Sequence, residues 1–131
     1  ITNKFMFDLE KIFDELFPIC RSITGNGYRK SFNIIKKFIP FKKYKYPTGK
    51  NVFDWKVPNE WNIKNAYVEN LRGEKIIDFR DNNLHIVNYS TPVNKIMTLY
   101  ELDKNLHSIQ DKPKDIPYVT SYYKKNWGFC L

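Results

Sequence analysis

Chemistry in a chain of 131 residues needs a few ionisable or nucleophilic side chains brought together, so His85, His107, Cys20 and Cys130 are the first to weigh. A zinc site takes three or four Cys, His, Asp or Glu ligands in near-tetrahedral geometry, and no HxxxH or CxxC spacing occurs here. His85 sits inside the apolar stretch Leu84 to Tyr89, where a hydrogen-bonded structural histidine is the expectation. His107, at the end of a predicted short helix, is expected to complement the helix C-terminal dipole. Asp78 and Asp81 bracket Phe79-Arg80 at a strand end, the setting of a turn and an ion pair. Ser22 and Ser90 lie in no nucleophile-elbow pattern. Gly25-Asn26-Gly27 is too short for a phosphate loop, with no following Lys-Ser/Thr pair, and reads as a turn with positive φ angles. Residue spacing therefore identifies no catalytic and no metal-binding residue. Two cysteines are too few for a disulfide framework and are expected as thiols of an intracellular, cytoplasmic protein.

Binding by aromatic side chains is the second chemistry that the composition allows. Trp61, Tyr122, Tyr123 and Trp127, near lysines, could stack on sugars, on bases or on a partner surface. Core packing is the competing role for any such residue in a β-rich domain. The formal net charge of +8 raises nucleic acid as a partner. Against it, only four of the 22 basic residues are arginine, the side chain suited to bidentate phosphate or guanine contacts, and the lysines are spread along the chain as on a solvated surface.

The elements that must position these residues follow from hydrophobic period. Phe5, Met6, Leu9, Ile12, Phe13, Leu16 and Phe17 recur every three or four positions, predicting an amphipathic helix from Lys4 to Phe17, capped by Thr2 or Asn3 and followed by Pro18. A second helix is predicted from Tyr28 to Ile39, with Phe32, Ile35 and Ile39 on one face and Pro40 as its stop. After Pro40 the period falls to two. Val52 to Val57 reads as one strand, with Phe53, Trp55 and Val57 on a core-facing side, and Pro58-Asn59 as the turn before Trp61. Ala66 to Glu69, Lys75 to Phe79, Leu84 to Tyr89 and Ile116 to Tyr123 read as further strands. Thr98 and Glu101 form a capping-box pattern that predicts a short helix from Leu99 to Leu106. The fold class is therefore α+β, with two N-terminal amphipathic helices in residues 1–40 and a small β-rich domain with one short helix in 41–131. No apolar run approaches the ~20 residues that cross a bilayer. The start at Ile1 and the apolar end, Trp127 to Leu131, are expected to mark boundaries inside a longer protein.

Four separated blocks in this order resemble a known family. They are Glu15-Leu16-Phe17-Pro18-Ile19-Cys20-Arg21-Ser22-Ile23-Thr24-Gly25-Asn26-Gly27; Pro47-Thr48-Gly49 with Val52-Phe53-Asp54-Trp55, Val57-Pro58 and Glu60-Trp61-Asn62-Ile63; Asp81 to His85 with Val87 to Val93; and Ile116 to Tyr123 with Trp127 to Leu131. Together they are similar to the amino-terminal part of prokaryotic proteins with an aminopeptidase-like domain, of the zinc exopeptidase clan and linked to polysaccharide biosynthesis. The resemblance implies that the first helices begin a peptidase-like domain and that the β-rich part is inserted into it. It further implies that zinc and its ligands lie beyond Leu131, leaving this segment non-catalytic, an accessory unit that shapes substrate access. The remainder of the peptidase-like domain would be its partner, with self-association through exposed helix stripes as a second outcome. A carbohydrate- or partner-binding module using the aromatic surface is the alternative function.

Overall fold

The computed structural model describes residues 9–122 and 124–131. The expected N-cap at Thr2 or Asn3, the first turn of the first helix and Tyr123 lie outside them. The described chain is α+β, as its sequence pattern requires. Three helices are present, α1 Leu9–Leu16, α2 Asn26–Ile35 and α3 Leu99–Asp103. So are three strand pairs, β1 Asn51–Val52 with β2 Trp55–Lys56, β3 Tyr67–Glu69 with β4 Lys75–Asp78, and β5 Leu106–His107 with β6 Phe129–Cys130. The first two pairs are antiparallel and the third is parallel. Contacts divide the chain into two compact units, residues 1–62 and 63–131.

In the first unit α1 and α2 pack together, helped by an ion pair at 3.3 Å between Glu15 and Lys37. The apolar stripe of α1 is only partly used. Leu9, Phe13 and Phe17, spaced by four, are 62–68% exposed, and α1 has no buried residue. α2 begins two residues before its expected start and ends at Ile35, before a turn that carries the chain to Ile39. Only Gly25 of the Gly-Asn-Gly triplet has positive φ, since Asn26 and Gly27 already belong to the helix.

The hairpin departs from the alternation reading. Val52 pairs with Trp55, so the chain reverses at Phe53-Asp54 and Val52 to Val57 is no continuous strand. Phe53 takes φ 51° and is fully exposed, and Trp55 is half exposed, so neither faces a core. The reversal is held by an antiparallel register that continues outward, Val57 N–H donating to Lys50 O at 2.9 Å and Gly49 N–H to Val57 O at 2.8 Å.

The second unit holds the buried apolar residues Ile77, Ile86, Val87, Phe129 and Cys130. Its centre is the segment from Ile86 to Thr91. On one side Val87 N–H donates to Gly128 O and Thr91 N–H to Asn126 O; on the other Asn88 N–H donates to Val119 O and accepts, through its C=O, from Ser121 N–H. Isolated bridges, Ile86 with Phe129 and Asn88 with Thr120, therefore replace the strands expected at Leu84 to Tyr89 and Ile116 to Tyr123. The interruption has local causes: Asn83–His85 is a 3-10 turn capped by Asn82 Oδ1, and Tyr89 has φ 64°. α3 carries the expected capping box. Thr98 Oγ1 accepts from Glu101 N–H, and the Glu101 carboxylate accepts from Thr98 N–H at 2.8 Å. Its helix is shorter than the capping pattern suggested, because Leu106 is taken into β5 beside Phe129.

Candidate functional site

Each unit brings together two sequence blocks that lie far apart in the chain. In the first, the loop Ser22 to Asn26 meets Glu60 to Asn62. α2 has no cap from its own Gly25; instead Asn62 Oδ1 accepts from Asn26 N–H at 2.7 Å, satisfying one of the open donors of the helix start. Trp61 N–H donates to Thr24 Oγ1 at 3.4 Å, and Arg29, which also donates to Asn26 Oδ1, forms an ion pair with Glu60. The Glu60 carboxylate thus sits beside a helix N-terminus, where negative charge is favoured. The approach is close enough that a Cβ on Gly25 would overlap the Trp61 carbonyl. Residues 60–62 therefore act as a clamp across the start of α2. Trp61 is held in it through its backbone, with its side chain partly exposed.

In the second unit the blocks Asn82 to Ser90 and Thr120 to Cys130 converge. His85 Nδ1 lies 2.8 Å from Cys130 O, so His85 is the hydrogen-bonded histidine that its apolar neighbours predict. His107 corrects its expectation: α3 ends at Asp103, and His107 stands in β5 with its ring against Gly128. Its Nε2 is buried with no hydrogen-bond partner among the described residues. Ser90 Oγ donates to Val87 O at 2.6 Å and accepts from Gly128 N–H, a structural use that ties the two blocks together. Asp78 is buried, ion-paired with Lys75 at 2.5 Å and accepts from Arg80 N–H. The Lys75 hydrogen bond and then the Arg80 N–H hold its carboxyl below the usual range.

The proposed aromatic residues divide between the units. Trp61 belongs to residues 1–62, whereas Tyr122 and Trp127 belong to 63–131. Tyr122 packs edge-to-face on Tyr89 at 4.9 Å, and Lys95 Nζ lies 6.0 Å over the Trp127 ring. Cys20 and Cys130 are not joined in a disulfide, and burial pushes both thiols up. Among the described residues no three His, Cys, Asp or Glu side chains gather where they could hold a metal ion, so the residues here do not fit a zinc site. No helix among them is long and apolar enough to cross a membrane. No local pattern in the sequence shows the clamp, because its partners are 36 and 37 positions apart. The signal available was that both halves fall within recognisable blocks.

A mixed α+β chain in which distant sequence blocks are joined by hydrogen bonds, with no metal-ligand cluster among the described residues, is the class that this geometry defines. Residues 60–131 match the family described as domain of unknown function DUF2172, and the chain belongs to that family. It is 58% identical over 124 residues to a protein of Clostridium acetobutylicum named as a candidate polysaccharide biosynthesis protein with an aminopeptidase-like domain. That match covers 95% of this chain and 29% of the relative. A crystal structure of a candidate peptidase from the same organism superposes with a TM-score of 0.89 at 58% identity, again over 95% of this chain and 29% of the other. The chain thus spans about 29% of the length of the relatives it matches.

Proposed function

We propose that this chain is a non-catalytic accessory part of a longer aminopeptidase-like hydrolase, in which it shapes substrate access to a zinc site supplied by other residues. In this reading residues 1–40 begin the peptidase-like domain and 41–131 are a β-rich insertion. The observation that carries it is that no apolar side chain among residues 9–62 is buried, although α1 and α2 are both amphipathic. A ten-residue helix such as α2 is marginal without an apolar face to pack on, and the Leu9, Phe13 and Phe17 stripe of α1 is open, which supports covering of these faces by further polypeptide. A cytoplasmic setting is consistent with the two free thiols.

The test is hydrolysis of amino-terminal peptide substrates with added zinc, by this chain and by a polypeptide extended to the length of the Clostridium relative. The expected result is no turnover by the chain and chelator-sensitive turnover by the extended protein. Chelator-sensitive turnover by the chain alone would refute the reading. A second reading, binding of a carbohydrate or partner through aromatic side chains, draws on Trp127 with Lys95 above it. Absence of any tryptophan fluorescence change at millimolar oligosaccharide would remove its carbohydrate form.

A further inference from the structure

The β1–β2 hairpin breaks two local rules at one residue. Two-residue hairpin turns favour Gly, Asn or Asp where φ is positive, and a bulky side chain there is an outlier. Phe53 occupies that position with φ 51°. An exposed aromatic residue is ordinary by itself, but Phe53 is completely exposed, and Trp55 beside it is half exposed. Glycine would relieve the backbone and asparagine would suit both the backbone and the water. A phenylalanine gives up both advantages, which makes sense where the ring is covered. The ring would then bury on the order of 150–250 Å².

We propose that Phe53 is the tip of a docking finger, seated in an apolar pocket of the polypeptide that accompanies this chain in the longer protein. This rests on the reading of the chain as part of such a protein. Length points to the occupant: the matched relatives are more than three times as long as this chain, which covers 29% of them. The hairpin is suited to the role. Its stem is held by two register pairs, Asn51 with Lys56 and Val52 with Trp55, and by two further backbone hydrogen bonds that join Val57 to Gly49 and Lys50, so a contact at the tip fixes the position of the whole finger.

The experiment compares this chain with the extended polypeptide by chymotryptic cleavage after Phe53, and by thermal unfolding of Phe53→Gly and Phe53→Asn. In the chain alone the bond should be cut, and both substitutions should slow hydrogen exchange of the Val57 amide a few-fold by relieving the turn. In the extended protein cleavage should slow at least tenfold, and both substitutions should lower the midpoint by about 2–4 °C. This reversal of sign is what a merely strained turn would not give. Substitutions that stabilise both proteins, or equal cleavage in both, would overturn the proposal. Protection of Phe53 in a dimer of the isolated chain would also overturn it, in favour of a second copy. Binding of a hydrophobic dye reads the α1 face independently. Dye binding lost on extension with Phe53 still cut rejects the finger alone, and dye binding retained with Phe53 cut rejects the longer-protein reading with it.

Discussion

Gly25→Ala should dismantle the clamp, and its effect can be worked out from the geometry. Gly25 has φ 96° and ψ −172°, a region open essentially to glycine alone, which costs about 1–3 kcal/mol for any other residue. The added Cβ would also overlap the Trp61 carbonyl and press on Asn62 Oδ1, so residues 60–62 must move away from α2. That loses the Asn62–Asn26 and Trp61–Thr24 hydrogen bonds, worth about 0.5–1.5 kcal/mol each. Together these come to about 4 kcal/mol, and with no apolar side chain buried among residues 9–62 the unit has little to absorb it. The assay is amide hydrogen exchange by mass spectrometry. Exchange across Asn26–Ile35 should accelerate about 10³-fold, or to the unprotected limit, with the 63–131 unit unchanged. Two controls separate the causes. Gly49→Ala keeps only the backbone penalty, since φ is 81° and nothing lies within 4 Å, and should cost about 1 kcal/mol. Gly27→Ala keeps only the overlap, against Cys20 O. If Gly25→Ala changes exchange no more than Gly49→Ala does, the clamp is not holding α2 and the reasoning fails.

Two further outcomes are expected. Thr98→Ala removes the capping box of α3 and should cost about 1 kcal/mol, seen as roughly fivefold faster exchange at Glu101 and Leu102, with Thr98→Ser restoring it. The folded Asp78 carboxyl is held below its ordinary value of 3.8 by Lys75 and Arg80, so its stabilising contribution is present above that value and is lost as pH falls through the lower folded one. Thermal unfolding followed from pH 6 to pH 2 should therefore show an acid-side decline that Asp78→Asn flattens.

What could be read from sequence was whatever is settled locally. The helix stripes and the Thr98–Glu101 cap each depend on residues within four positions of one another, and each appears in the structure. His85 was legible because a histidine among apolar neighbours needs a partner, and Cys130 O provides it. The reversal at Phe53-Asp54 is hidden because Val52 to Val57 alternates perfectly and contains no glycine, while Pro58-Asn59 is a more conventional place to turn. The apolar composition of Leu84 to Tyr89 agrees with the burial of Ile86 and Val87. Its ladder is broken by the left-handed Tyr89, which composition does not announce. The expectation for His107 depends on α3 running on to Leu106, whereas pairing with β6 claims that residue first. The clamp and the β5–β6 pair join residues 23 to 37 positions apart, beyond the reach of any local pattern.

The clamp also determines where this chain can tolerate added length. It ties Thr24 to Trp61 across 37 positions, and within that span residues 42–50 are exposed throughout. Closing a flexible loop depends only logarithmically on its length, so ten extra residues inserted there would add about 0.2 kcal/mol. A reporter peptide or an affinity tag can therefore enter between Lys42 and Tyr46 at little thermodynamic penalty. The same insertion at Thr24 to Asn26 would separate the parts that hold α2 in place.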